Sequence, residues 1–122
     1  MLVASQYEHL EVARLLIEAG AAIDKARDDG STPLLVASQQ GHLEVARLLI
    51  EAGAAIDQAR DDGVTPLLIA SQKGHLEVVK ALLDSGADPT LADSDGRTPL
   101  KAAKRRNHTE IVALLESALR KV

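Results

Sequence analysis

Apolar positions follow a helical spacing that is interrupted at regular intervals along the chain. In residues 43–52 the apolar side chains that fall on one stripe of a helix are Val45, Leu48, Leu49 and Ala52. A shorter segment, residues 34–39, begins with four apolar residues, precedes this stripe and predicts a first helix that stops at Gly41. Neither segment reaches the roughly 12 residues that an isolated helix needs in water. The pattern therefore predicts pairs of short helices that are stable only against neighbouring pairs.

Each predicted pair contains residues that start and stop helices. Thr32 is suited to cap the first helix, because its hydroxyl can accept a hydrogen bond from an unpaired amide of the first turn. Pro33 follows at the first helical position, where a missing N–H costs nothing. Gly53 ends the second helix, and the Asp-Asp-Gly of residues 61–63 predicts a tight turn in the connection to the next pair.

The whole pattern repeats with a period of 33 residues. Residues 68–100 match residues 35–67 at 18 of 33 positions. Residues 2–34 match 35–67 at all but four positions, which are Tyr7/Gln40, Glu8/Gly41, Lys25/Gln58 and Ser31/Val64. The motifs that recur in phase are Thr-Pro-Leu at 32–34, 65–67 and 98–100, and Gly-His-Leu-Glu-Val at 41–45 and 74–78. So regular a period is typical of a solenoid.

The period and these motifs together resemble the ankyrin repeat, a turn–helix–helix unit of 33 residues. The resemblance covers nearly the whole chain, from Leu2 to about Leu119. It implies an all-α ankyrin-repeat solenoid of helix–turn–helix units, with about three and a half to four repeats. The single domain, residues 1–122, then divides into a partial N-terminal repeat 1–30, full repeats 31–63 and 64–96, and a C-terminal capping repeat 97–122.

The chain departs from the family pattern after Thr-Pro-Leu, where the family usually has histidine. Leu35, Leu68 and Lys101 stand there, so we expect apolar packing in place of the family's hydrogen bonds. In the last repeat four basic residues replace residues of the preceding unit, which predicts the polar outer face that a terminal repeat needs; they are Lys101, Lys104, Arg105 and Arg106. At the other end, Leu2 enters in mid-helix without a preceding Thr-Pro-Leu. This leaves an uncovered N-terminal face and predicts self-association through it.

Composition and charge exclude several classes of function. Aromatic residues make up 1% of the chain, with Tyr7 alone, so 19 Leu and 20 Ala must supply an aliphatic core. The absence of cysteine excludes disulfides and thiol catalysis. No apolar run reaches the roughly 18 residues of a membrane span and no signal peptide begins the chain, so the default expectation is a cytoplasmic protein. The net charge of −4 and the lack of stacking aromatics argue against nucleic acid as a partner.

Candidate chemistry is sparse. The histidines His9, His42, His75 and His108 occur once per repeat, and packed elements lie roughly 8–10 Å apart, too far for one ion with bonds of about 2 Å. We therefore expect structural histidines, no metal and no cofactor. A catalytic site must gather unlike groups and so break the repeat symmetry, which almost nothing here does. The sequence therefore predicts that the chain is not an enzyme.

The resemblance implies a protein or peptide partner bound on a concave surface of turn tips and first helices. Because aspartates recur at the tips, we expect a basic or polar partner, although Asp-Gly also suits a tight turn without any ligand. Residues 97–122 carry a net charge of +5, whereas residues 1–96 carry −9. This basic end either helps to attract a charged partner or is only a solvated cap. The residues assigned to partner binding are Tyr7, Asp28, Asp29, Ser31, Gln39, Gln40, Asp61, Asp62, Val64, Gln72, Lys73, Ser94, Asp95, Arg97, Arg105 and Arg106.

A second hypothesis assigns the chain no dedicated partner. Residues 2–34 and 35–67 are nearly identical, whereas dedicated recognition surfaces tend to diversify. The chain is then a structural or consensus-designed repeat scaffold, or a fragment of a longer array. Tyr7 also has two interpretations, as an interaction residue or as a surface ring that covers a truncated end of the array.

Overall fold

The computed structural model describes residues 23–121. Within this range the chain forms six α-helices in three antiparallel pairs and no strand, which confirms the predicted all-α repeat fold. The first helices of the pairs are α1 (Pro33–Gln40), α3 (Pro66–Lys73) and α5 (Pro99–Arg105), and the second helices are α2 (Leu43–Glu51), α4 (Leu76–Asp84) and α6 (Thr109–Arg120). The first helices pack side by side in one layer, and the second helices form a layer behind them. The predictions for Tyr7 and for the N-terminal face lie outside the described residues.

Each first helix begins at a threonine–proline step, as predicted. The Oγ1 atoms of Thr32, Thr65 and Thr98 accept hydrogen bonds from the backbone N–H three residues later, at 3.2, 3.1 and 3.2 Å. The proline that follows has no N–H to leave unpaired. Gly41 and Gly74 end α1 and α3 in the left-handed conformation, with φ of 73° and 81°. Local sequence signals therefore define both ends of these helices.

The apolar stripe predicted for α2 needs one correction. Leu49 is buried as expected, and Val45 and Leu48 are half-buried, but Ala52 is exposed. The helix ends at Glu51, and Ala52 is its C-cap, whose N–H still donates to the carbonyl of Leu48 at 3.0 Å but whose side chain lies at the exposed end of the helix. The prediction missed Ala46, which is completely buried in the core against neighbouring helices.

Two aliphatic clusters hold the pairs together. The main core runs between the two layers, and its largest fully buried side chains include Leu34, Leu67, Leu82, Ile111 and Leu115. A second cluster joins side chains from successive first helices and the turns before them, namely Leu35, Val64, Leu68, Ile69 and Ala102. Apolar packing therefore does occupy the positions of Leu35 and Leu68, as the departure from the family pattern predicted.

The last helix pair has exposed charged side chains at positions where the preceding pair has buried or half-buried uncharged ones. Lys101, Lys104 and Glu116 are exposed, although the residues 33 positions before them are buried or half-buried. The Nζ atom of Lys104 lies 3.9 Å from Oε2 of Glu116. This face of α5 and α6 is polar, as the sequence predicted.

The histidines that precede α4 and α6 each contact the end of the first helix in the repeat before their own, α1 and α3 respectively. The Nε2 atom of His75 lies 3.0 Å from the carbonyl oxygen of Gln39. Its ring covers Gly41, where an added Cβ would lie 2.6 Å from Nδ1. The same arrangement recurs one repeat later. These histidines are structural, as predicted, and each requires a glycine at the end of the helix that it covers.

Replacing Thr65 by alanine removes a helix cap. We expect Thr65→Ala to lower the free energy of unfolding by about 1 kcal/mol, because the buried N–H of Leu68 loses its acceptor. Urea unfolding measures the loss. Thr65→Ser keeps the hydroxyl and should retain most of the stability, so equal losses in the two variants would contradict this role.

Replacing Gly74 by alanine tests the contact with the histidine ring. The backbone cost alone is measured by Gly86→Ala, because Gly86 has φ of +94° and nothing within 4 Å of an added Cβ. We expect that control to lose roughly 1 kcal/mol of unfolding free energy. At Gly74, with φ of +81°, the new Cβ would lie 2.7 Å from Cε1 of His108, so we expect roughly 1 kcal/mol more to be lost. In a double-mutant cycle with His108→Ala the extra loss should disappear, and its persistence would refute the contact.

Candidate functional site

The tips of neighbouring repeats are joined through the backbone. The N–H of Asp61 donates to the carbonyl of Asp29, and the N–H of Ser94 donates to the carbonyl of Asp62, both at 2.9 Å. Each tip leads directly into a first helix, so the row of tips and the layer formed by α1, α3 and α5 make one continuous surface. The tips are therefore parts of a common platform rather than independent loops.

An ion pair closes the tip of residues 60–64. Nε and Nη2 of Arg60 donate to the two carboxylate oxygens of Asp62, at 3.0 and 2.8 Å. Oδ1 of Asp62 also accepts the N–H of Val64 at 3.2 Å. The hydrogen bonds with Arg60 lower the pKa of Asp62, and those with Asp62 raise the pKa of Arg60. Much of the charge at this tip is engaged within the turn.

In the tip of residues 93–97 the aspartate precedes its arginine partner, which is the reverse of the order in residues 60–64. Oδ1 of Asp93 accepts the N–H groups of Asp95 and Arg97, each at 2.9 Å, and Oδ2 accepts Nε of Arg97 at 3.0 Å. Burial alone would raise the pKa of Asp93, but these hydrogen bonds and the guanidinium charge outweigh it and lower the pKa. Arg97 also donates to Asp95 at 3.1 Å. Asp93 aligns with Arg60, so both of these tips keep an Arg–Asp pair with the two partners at different positions.

Other aspartates join backbone segments. Oδ1 of Asp29 accepts the N–H of Ser31 at 2.9 Å, and this bond lowers the pKa of Asp29. Oδ1 of Asp24 accepts the N–H of Ala55 at 2.9 Å, which connects one repeat to the next. Asp57 makes the equivalent contact one repeat later. Sequence reasoning missed these two contacts, although Ile-Asp recurs at the 33-residue spacing and could have indicated them.

The structure corrects two of the predicted partner-binding residues. Ser31 and Val64 are each only 4% exposed, because Val64 packs in the second cluster and its aligned position in the preceding repeat is equally enclosed. Their side chains offer no surface to a partner. The other predicted residues within the described range are exposed or half-exposed, and they are Asp28, Asp29, Gln39, Gln40, Asp61, Asp62, Gln72, Lys73, Ser94, Asp95, Arg97, Arg105 and Arg106.

These exposed charges fall into two groups. Asp29, Asp62, Asp95 and Arg97 hold the turns, as described above. The second group makes no side-chain hydrogen bond or ion pair within residues 23–121, and it consists of Asp28, Asp61, Lys73, Arg105 and Arg106. Among the predicted partner-binding residues, the second group therefore has its charge fully available to another molecule.

The described segment shows no grouping suited to metal chemistry. Across residues 23–121, nowhere do three or more histidine, aspartate or glutamate side chains converge so that they could hold an ion. The helices α1 to α6 are also too short and too polar for any of them to cross a membrane.

Asp93→Asn tests the buried carboxylate. We expect the variant to melt at a lower temperature at pH 7 and to show a flatter decline in acid. Because the pKa of Asp93 is lower in the folded chain, its ionised form stabilises the fold above about pH 4, and this stabilisation is lost as the pH falls further. Melting curves between pH 7 and pH 2 measure the effect. Asp28→Asn, at a side chain without partners, should follow the parent chain, and a parallel acid decline in D93N would contradict the assignment.

A comparison with known proteins identifies the family to which this architecture belongs. A family model described as ankyrin repeats (3 copies) matches residues 1–93 and residues 55–120. A search of curated proteins found no match. Ankyrin repeats are generally protein–protein interaction modules, and the family is typically non-enzymatic. The matched ranges span nearly the whole sequence and include all three helix pairs described above, so the chain belongs to the ankyrin repeat family.

Proposed function

We propose that the chain is a protein-interaction module whose partner lies across the turn tips and the exposed side of α1, α3 and α5. The observation that carries this proposal is the continuity of the surface, since backbone hydrogen bonds join Asp29 to Asp61 and Asp62 to Ser94. A partner meets a surface that is already formed, so binding does not require the ordering of loops. The partner is a protein or a peptide segment rather than a small substrate.

Differences between the repeats support the same surface. At the ends of the first helices, one exposed position holds Gln40, then Lys73, then Arg106. On the second helices, an equally exposed position keeps glutamate in every pair, at Glu44, Glu77 and Glu110. The first-helix side therefore presents a different chemistry in each repeat, which recognition of an asymmetric partner requires.

The turn chemistry narrows the residues that we assign to contact. Asp29, Asp62 and Arg97 shape the tips, and replacing them would disturb the turns as well as any contact. Asp28 and Asp61 stand beside them without such a role. We assign direct contact to these two aspartates and to the exposed residues at the ends of the first helices, and a shaping role to the first three.

A surface-blocking experiment tests the proposal. The chain has no cysteine, so a single introduced thiol can be labelled selectively. Asp61→Cys places the label in the tip row, and Glu77→Cys places it on α4, in the helix pair that follows this tip, with the same change of charge. Peptides are first selected from a random library on the immobilised parent chain. We expect a polyethylene glycol maleimide at position 61 to weaken their binding at least about tenfold and the same group at position 77 to leave it unchanged.

Four outcomes would contradict the proposal. Loss of binding from both labelled positions, or from position 77 alone, would move the contact away from the tips. Undiminished binding with position 61 labelled would do the same. Failure to enrich any peptide would support the alternative, a structural or consensus-designed scaffold, which the near-identity of residues 2–34 and 35–67 favours.

A further inference from the structure

We infer that the partner of this surface is recognised through its carboxylates, by a basic edge that consists of Lys73, Arg105 and Arg106. This inference rests on the proposed function, because it names the partner chemistry of the same surface. It also reverses the sign expected from the sequence, where the recurring aspartates at the tips predicted a basic or polar partner.

Three of the tip aspartates are engaged by arginine within the fold, whereas Asp28 and Asp61 are not. Asp62 is held by Arg60, and Asp93 and Asp95 are held by Arg97. A carboxylate that already accepts charge-assisted hydrogen bonds has fewer free acceptor sites for a cation of a partner. Each Arg–Asp pair also contributes little net field at a distance. The aspartates of the tips therefore attract a cationic partner less strongly than their number in the sequence indicates.

The cations of the basic edge are not engaged. Lys73 and Arg105 are the last residues of α3 and α5, Arg106 follows directly, and all three are exposed. Within the described chain none of them makes a side-chain hydrogen bond or an ion pair. Some of the other exposed cations lie near a carboxylate, such as Arg47 at 3.5 Å from Glu44. The basic edge can therefore offer its charge and its donors to another molecule.

Positive charge increases along the edge from one repeat to the next. The two positions that end the first helix hold Gln39 and Gln40 in the repeat 31–63, and neither is charged. The next repeat has one cation there, Lys73, and the last repeat has two, Arg105 and Arg106. A cation at a helix end also complements the helix dipole, but α1 ends in glutamines and does without one. The increase therefore gives the surface a direction along which an acidic segment can align.

The spacing of the repeats suits an extended peptide. Packed helices lie roughly 8–10 Å apart, and an extended chain advances about 3.3 Å per residue. About three residues of a peptide therefore pass each repeat, so a carboxylate at every third position meets successive cations. Nucleic acid fits less well, because the sequence has one tyrosine and no phenylalanine or tryptophan on which bases could stack.

Fluorescence anisotropy with a defined probe tests the inference. The probe is a fluorescein-labelled Gly/Ser peptide of roughly nine residues with glutamate at every third position, and its counterpart carries lysine at the same positions. The edge variant combines Lys73→Gln, Arg105→Gln and Arg106→Gln, so the same residue types as in α1 stand at these positions. The control variant combines Arg47→Gln, Lys80→Gln and Arg120→Gln, an equal change of charge at exposed positions of the second helices.

We expect the parent chain to bind the glutamate probe at least about tenfold more tightly than the lysine probe. The edge variant should lose at least about tenfold of that affinity, while the control variant changes less than about twofold. Binding should disappear near 1 M salt, where charges are screened within about 3 Å. Melting temperatures of both variants close to that of the parent chain would show that the fold is retained.

Preference for the lysine probe, absence of binding to the glutamate probe, or equal loss in the two variants would overturn the inference. So would tighter binding of a single-stranded oligonucleotide that depends on the same three cations. The proposed function is judged separately. If library-selected peptides are blocked by the label at position 61 but bind the edge variant as well as the parent chain, carboxylate recognition is refuted and the interaction surface stands.

Discussion

Burial shared between neighbouring helix pairs is the constraint on which the described structure depends. Its helices contain between 7 and 12 residues, lengths at which a helix in water is marginal at best. The apolar side chains therefore need the next pair to complete their environment, and Leu34, Leu67 and Leu115 share one core that runs through all three pairs. Stability arises from the contacts between repeats rather than within any single helix.

Polar contacts then determine how the pairs align. Apolar packing has little directional preference, whereas a hydrogen bond requires a particular distance and orientation. The His75 contact with Gln39, the Asp24 contact with Ala55 and the backbone bonds between tips all connect one repeat to the next at about 3 Å. These contacts lie at the helix ends and turns, outside the aliphatic core. Together they hold the tips and first helices in a continuous surface.

The same turn chemistry changes how the surface charge is interpreted. At one tip the arginine precedes its aspartate partner, as Arg60 and Asp62, and at the next it follows, as Asp93 and Arg97. Either order satisfies the turn, because a single carboxylate can accept both a backbone N–H and a guanidinium. Charges used in this way are structural, so the proposed recognition falls to the charges that remain unpaired.

The sequence by itself determined the repeat, the helix boundaries at Thr32 and Gly41, the aliphatic core and the family. These features are local or periodic, so a cap, a left-handed glycine or an apolar stripe is visible without knowledge of neighbours. The sequence could not show that Ser31 and Val64 are buried, nor which carboxylates are engaged by Arg60 and Arg97. Only the tertiary structure decided these points, because burial depends on how the repeats stack and ion pairing depends on how each turn folds.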